Sequence, residues 1–390
     1  MPKPLHILML IHRQDDTSPY CFYVHEQAKA LRDRGHRVTV IAPLGRPPIR
    51  RRRPGLDALD ARTPKEAMVD GIAVHYPRFM TLGNPGERLL GGRLMAEAAL
   101  SVAEVIHARD PFDVVHAHML PRDGHAGLLL ARHFGIPLAI TVHGTDVLQY
   151  FKPGKQPWRR NVRIAREADA LLAVSSMLME RVAPYRSGFR MVVPNGVDLS
   201  LVPERRENRP RQILSVGTLK PRKCMDRTIE AFSRIAGEYP DAELTLIGTG
   251  PMEEVLRAQI ERLGLAERVH LTGGLPHEEV LRRMAMSDVF VLPSWGEGYG
   301  IVYIEAMAAG CIAIGSRNEG IEDTITDGKN GFLVPAGDPR AVERILRDIF
   351  RDASAFASLR EAGRQSALGL TWAQNAETME QIYRTIRREA

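Results

Sequence analysis

"DVFVLPSWGEGYGIVYIEAMAAGCIAIGS", residues 288–316, contains a whole structural unit in one stretch. Its two ends, "DVFVLP" (288–293) and "CIAIGS" (311–316), are short apolar runs without polar alternation, as in strands covered on both faces. Between them, Ile301, Ile304 and Met307/Ala308 recur at helical spacing. This predicts a helix that starts near Gly300 and stops before Gly310, a residue suited to a C-terminal cap. Strand, helix and strand in that order are the repeat of a parallel sheet.

The same alternation runs in both directions from there. Upstream, strands are expected at "QILSVG" (212–217), "ELTLIG" (243–248) and "RVHLTG" (268–273). In the first half they are expected at "HILMLI" (6–11), "RVTVIA" (37–42), "DVVHAH" (113–118), "LAITVHG" (138–144), "ALLAVS" (170–175) and "MVVP" (191–194). Amphipathic stretches such as "YVHEQAKALRDRG" separate them, with Val24, Ala28 and Leu31 on one face and Gly35 at the end. The fold class is therefore α/β, with two doubly wound parallel-sheet domains. The polar, proline-bearing stretch 197–212 puts the boundary near 205, giving domains 1–205 and 206–370. A last helix, about 371–390, is expected to run back over the first domain. Residues 45–71, with Arg50, Arg51, Arg52 and Arg53 in succession, read as a long surface loop, either solvated or touching an anionic surface.

Bulk properties bound the function. A chain of 390 residues with 44% hydrophobic and 26% charged residues is a two-domain globular protein. No apolar run reaches the roughly 20 residues of a membrane span, and the N-terminal stretch lacks the pattern of a signal peptide. Cys21, Cys224 and Cys311 are odd in number and far apart, which predicts no metal-ligand set and a reducing, cytoplasmic setting. Residues 1–205 carry 29 Lys+Arg against 20 Asp+Glu, net +9; the remainder carries 24 against 27, net −3. A basic first half predicts an anionic partner there.

Glu297 and Glu305 flank the start of the predicted helix. Side chains on a helix tilt toward its N-terminus, so Glu305 reaches back toward the turn that carries Glu297. The free amides near Tyr299, Gly300 and Ile301 favour negative charge there, whereas a general acid needs an apolar pocket. Singly, Glu297 reads as a solvated loop residue and Glu305 as the polar edge of a short helix. Together, at the carboxyl ends of parallel strands, they suit vicinal hydroxyls, and the amides suit a phosphate. A nucleotide sugar has hydroxyls on both sides of a diphosphate.

At this point the chain resembles the retaining glycosyltransferases of family 4, which have the GT-B architecture of two Rossmann-like domains facing across a cleft. "EGYGIVYIEAMAAG" resembles that family's E-x7-E signature, and "VPNGVD" (193–198) the segment leading to its hinge. "SVGTLKPRKCMDRTIEAF" (215–232) resembles the stretch whose lysine, here Lys223, binds the donor diphosphate. "LIGTGP" (246–251) and "VHLTGGLPHEEV" (269–280) complete the series, the latter implying nucleobase contacts around Gly274 and Leu275. "TVHGTDV" (141–147) resembles a segment that faces the transferred sugar and nominates His143, and His118, which with His116 ends a strand facing the cleft, is also assigned to the acceptor or sugar side. Two departures stand out. Thr218 occupies a place where the family commonly has arginine, with Lys220 and Arg222 as substitutes, and "HRQDDTSPYCFYVHEQ" (12–27) replaces a glycine-rich loop.

The resemblance implies a metal-independent retaining hexosyltransferase without a cofactor, in cell-surface polysaccharide or glycolipid synthesis. Lys223, Glu297 and His143 would serve catalysis. The donor, for instance a UDP-sugar, would be held by Thr218, Lys223, Gly274, Leu275, Glu297, Tyr299, Gly300, Ile301 and Glu305. The implied partners are a nucleotide sugar, a glycan or lipid-linked acceptor and, through Arg50 to Arg53, an anionic inner-membrane face; nucleic acid is not among them. A sugar-nucleotide epimerase, a non-catalytic nucleotide-sugar-binding protein and a glycan phosphorylase are the alternatives, the last lacking a pyridoxal-phosphate lysine motif. Weaker signals carry less. "GTGPME" (248–253) is a fragment of a dinucleotide motif, "HEEV" at 277 lacks a zinc protease's second histidine, and Asn195-Gly196 reads as a turn. His116 reads as packing or substrate shaping.

Overall fold

The computed structural model describes residues 3–12, 20–47, 60–82, 86–151, 158–185, 188–205 and 211–389. The chain divides into two compact units, Met1–Asn195 with Trp372–Ala390, and Gly196–Thr371. The first holds β1 (His6–Leu10), β2 (Arg37–Ile41), β3 (Leu44–Arg46), β4 (Glu66–Val69), β5 (Ile72–His75), β6 (Arg78–Met80), β7 (Val114–His118), β8 (Leu138–Val142), β9 (Ala170–Ala173) and β10 (Phe189–Val192). One sheet runs β10-β9-β8-β7-β1-β2-β5-β4, parallel except for β4 against β5, while β3 and β6 pair separately. The second unit holds β11 (Gln212–Val216), β12 (Glu243–Ile247), β13 (Val269–Leu271), β14 (Val289–Val291), β15 (Ile312–Ser316) and β16 (Phe332–Val334), in the parallel order β13-β12-β11-β14-β15-β16.

Both sheets change direction once, between β1 and β7 in the first unit and between β11 and β14 in the second. At such a point the loops leaving neighbouring strands splay to opposite faces and leave a crevice beyond the strand ends. The strands themselves are core. Every residue of β1, β7, β8 and β15 is buried, consistent with their unbroken apolar runs.

The helix Ile301–Ala308 forms where its pattern places it. Its first turn depends on Gly300 at φ 86°, because a Cβ there would sit 2.6 Å from the Tyr303 ring. Its end is a Schellman closure: the Gly310 amide donates to Met307 O (3.0 Å) and the Cys311 amide to Ala306 O (2.9 Å). Tyr303, fully buried, stacks edge-on against Phe290 at 5.3 Å and donates its hydroxyl to Leu292 O, which ties the helix to β14. Burying such a side chain contributes roughly 1.5–3 kcal/mol.

Two expectations need revision. Residues 45–71 are not one open loop, since they include the end of β3 and all of β4. β4 turns into β5 through Asp70 and Gly71, at φ 46° and 73°, the left-handed pair of a tight hairpin turn. The second unit begins at Gly196 rather than near 205, because the following segment bonds into it. The Val197 amide donates to Leu370 O (2.9 Å), and Arg205 reaches Ser287 O (2.6 Å) and Asp288 (2.8 Å). Lys223 is buried. The helix Trp372–Glu389 groups with the first unit and inserts Ala376, Met379, Ile382 and Tyr383 into its core.

The ends of β11 and β12 approach closely, since a Cβ on Gly248 (φ 145°) would lie 1.9 Å from Gly217 O. Gly248→Ala is therefore expected to destabilise the protein by about 2–4 kcal/mol, through strain and displaced backbone. Gly264→Ala, at φ 66° with open space around it, is expected to cost only about 1 kcal/mol. Urea unfolding of the two variants checks the difference, and equal midpoints would show that the strand ends can part freely.

Candidate active site

In the second unit the crevice between β11 and β14 collects the residues with chemistry. β11 is followed by Gly217, the exposed Thr218, and a short turn, Pro221–Lys223. β14 is followed by the loop that carries Glu297. The Lys223 ammonium and the Glu297 carboxylate meet directly, and the Arg222 guanidinium lies 3.7 Å from the same carboxylate oxygen. Lys223 is only 7% exposed. Gly217 lies alongside its stem, since a Cβ there would be in van der Waals contact with Cε at 3.4 Å. A buried ammonium needs a partner, and Glu297 supplies one.

The loop backbone is fastened as firmly as the side chain. Glu319, just beyond β15, accepts from the amides of Gly296 (2.9 Å) and Glu297 (2.7 Å). Arg222 donates to Gly296 O (3.2 Å), and its own carbonyl accepts from the Trp295 amide (2.8 Å). Glu305, buried on the helix, is held by His277 Nε2 at 2.8 Å. Thus the two carboxylates that the sequence pairs are each tied to a different basic side chain. His277 belongs to the segment of Gly274 and Leu275 that follows β13, so Glu305 is tethered to the expected nucleobase region. Tyr299 is buried, and Gly300 and Ile301 open the helix.

In the first unit His116 and His118 lie buried on β7, and His143 follows β8. His118 Nδ1 and His143 Nε2 share a hydrogen bond of 3.0 Å, and the His143 ring stacks on Tyr23 at 4.1 Å. His116 is held by the Tyr383 hydroxyl (2.7 Å) and by Thr141 (2.8 Å). Burial pushes the pKa of His116 and His143 down to about 3, and that of His118 well below its ordinary value. All three are neutral imidazoles at neutral pH. In the 118–143 pair one nitrogen donates and the other accepts, so the two tautomers are linked. Asp146 fixes the turn after His143 by accepting from the amides of Leu120 (3.2 Å), His143 (3.2 Å) and Gly144 (2.8 Å).

Two family models match consecutive parts of the chain: "Glycosyltransferase Family 4" over residues 22–201 and "Glycosyl transferases group 1" over residues 201–366. A GDP-mannose-dependent phosphatidylinositol monomannoside mannosyltransferase of Mycolicibacterium smegmatis is 32% identical over 61% of this chain and 68% of its own. The chain belongs to the family 4 glycosyltransferases. A glycogen synthase of Mycobacterium tuberculosis is 26% identical over 94% of this chain and 91% of its own. Among solved structures, a sucrose-phosphate synthase of Thermosynechococcus elongatus superposes with a TM-score of 0.79 at 21% identity, covering 99% of this chain and 100% of its own. An Anabaena protein, HepE, solved with UDP and glucose, gives 0.69 at 20% identity, covering 96% and 98%. The fold of this glycosyltransferase is thus the GT-B type of α/β protein.

Sequence reasoning missed Glu319, His277 and Asp146 as holders of the site. Asp146 lies inside "TVHGTDV", and Glu319 follows a predicted strand at the end that faces the crevice, so position was the available signal. His12 is a further anchor at the β1–β7 crevice, its ring 2.8 Å from the fully buried Asp123. Arg50 to Arg53 lie outside the described residues. Among those described, no helix is long and apolar enough to cross a membrane, and no three His, Cys, Asp or Glu side chains are grouped to hold a metal.

The neutral histidines predict acid sensitivity. Their folded pKa values lie below the unfolded 6.5, so between 6.5 and about 3 the unfolded chain binds more protons. Stability is present in full above pH 6.5 and lost as pH falls, by up to about 1.4 kcal/mol per pH unit for each imidazole. Urea unfolding at pH 7.5 and pH 5 should show this loss, reduced in His143→Asn. A stability that is flat across the interval would mean that the imidazoles accept protons within the fold.

Proposed function

We propose that this glycosyltransferase is a retaining, metal-independent hexosyltransferase that takes its sugar from a nucleoside diphosphate. The observation that carries this reading is the Lys223–Glu297 pair at the β11–β14 crevice, with Glu305 on the adjoining helix. Lys223 and the free amides of the helix suit a diphosphate, Glu297 suits the hydroxyls of the transferred sugar, and Glu305 suits the ribose. Arg222, already on the Glu297 carboxylate, takes the part of the arginine that Thr218 replaces.

In the reaction the acceptor oxygen forms its bond to the anomeric carbon on the face from which the diphosphate departs. The bond between that carbon and the diphosphate oxygen breaks, its electron pair leaves with the phosphate, and the acceptor proton passes to a donor phosphate oxygen. No side chain then has to act as general base, in keeping with the ion-paired state of Glu297. The main contribution of the protein is to stabilise charge growing on the leaving diphosphate, through Lys223, Arg222 and the helix amides. His143, neutral and sharing a hydrogen bond with His118, suits a sugar hydroxyl. The acceptor is a glycan or a lipid-linked glycan, the two classes represented by the glycogen synthase and mannosyltransferase relatives.

A thermal-shift panel of UDP-, GDP- and ADP-sugars tests the donor class. Saturation at about 100 times the dissociation constant adds roughly 2.7 kcal/mol of stability. With the donor found, Lys223→Ala is expected to lower turnover about 10²–10³-fold. Activity of the unaltered enzyme is expected to persist in excess EDTA. Loss of activity with EDTA and its return with magnesium or manganese would overturn metal independence. Near-normal turnover of folded Lys223→Ala would remove the lysine from the mechanism.

A further inference from the structure

Trp295 combines a pinned backbone with a free side chain. It is 54% exposed, and it is the one tryptophan of the second unit, since Trp158 and Trp372 belong to the first. Its amide donates to Arg222 O (2.8 Å). The preceding residue, Ser294, is fully buried, and its amide donates to Leu292 O at 2.8 Å. The following residue, Gly296, sits at φ 67°, with its carbonyl on Arg222 and its amide on Glu319. The backbone is therefore fixed on both sides of an indole that projects into solvent.

The location gives this indole a use. Arg222 contacts the backbone of Trp295, the carbonyl of Gly296 and the carboxylate of Glu297, so the indole stands within two residues of the group assigned to the sugar hydroxyls. Glu305, His277 and the Gly274–Leu275 segment, assigned to ribose and base, lie on other elements. A pyranose has polar edges and an apolar face of C–H bonds. A carboxylate answers the edge, and a large aromatic face answers the C–H surface, burying apolar area on both partners. An exposed indole on a rigid loop loses little conformational freedom on binding.

We propose that Trp295 is the stacking face for the transferred sugar ring and thereby discriminates nucleotide sugar from nucleoside diphosphate. This rests on the donor reading of the site given above. Isothermal calorimetry with a nucleotide sugar and with its nucleoside diphosphate measures the discrimination directly. Trp295→Ala is expected to weaken the nucleotide sugar about tenfold while leaving the diphosphate unchanged, and Trp295→Phe to recover most of the loss. Indole fluorescence, as the difference between the unaltered protein and Trp295→Phe, supplies a second readout. The nucleotide sugar should shift that emission to the blue and shield it from acrylamide, and the diphosphate alone should not.

Equal responses to sugar nucleotide and diphosphate would assign Trp295 to the base or phosphates and overturn the proposal. So would tight nucleotide-sugar binding with unchanged Trp295 emission and unchanged affinity in Trp295→Ala, an outcome that leaves the donor reading standing. A protein that binds none of the UDP-, GDP- or ADP-sugars by calorimetry would overturn the donor reading and, with it, the role of Trp295.

Discussion

Lys223 is only 7% exposed, burying an ammonium is costly unless an anion pairs with it, and the second unit is arranged around that pairing. Lys223 reaches Glu297 because their loops leave neighbouring strands, β11 and β14, at the point where the sheet changes direction. Gly300 lets the helix start against Tyr303, and Glu319 holds the amides of Gly296 and Glu297. Each feature keeps one carboxylate beside one ammonium. The proposed donor separates them, because its diphosphate offers Lys223 a stronger anion and its sugar offers Glu297 hydroxyl donors. The ion pair would thus keep both groups charged and in place until the ligand exchanges with it.

The first unit follows a different electrostatic rule. Its polar groups form two hydrogen-bonded sets, Tyr383–His116–Thr141 and His118–His143, in which the imidazoles are neutral and two of them lie on a single strand. Neutral imidazoles can exchange hydrogen bonds with sugar hydroxyls without attracting a second anion. The Tyr383 contact also gives the last helix a part in the first of these sets, since its hydroxyl holds His116.

Much of this was legible before any coordinates, for identifiable reasons. The central strands, such as β1, β8 and β15, show as mostly apolar runs because both faces of a parallel sheet are covered there. Gly310 could be read as a cap because the apolar spacing stops there. The β4–β5 hairpin was also present, as Asp70-Gly71 between alternating residues in "EAMVDGIAVH", but the proline-rich, arginine-rich stretch before it obscured the signal. The burial of Lys223 was not legible, since "KPRKC" looks like surface and the partner that receives its ammonium, Glu297, lies on another loop. Nor were the partners of the two carboxylates, because Glu319 lies 22 residues from Glu297 and His277 lies 28 from Glu305. Such pairs arise from which strands become neighbours, and no local pattern encodes that. The domain boundary shifted for the same reason, as Arg205 is assigned by its bonds to Ser287 and Asp288.

On this reading the donor takes Lys223 and Glu297 from one another. Calorimetric titration of Glu297→Gln with a nucleoside diphosphate and with the matching nucleotide sugar tests it most directly. Removing the carboxylate's charge frees Lys223, so the account predicts tighter diphosphate binding in the variant and weaker nucleotide-sugar binding, a change of opposite sign for two ligands that differ by one sugar. Weakening of both ligands to the same degree would contradict it, and would mean that Glu297 merely supports the loop.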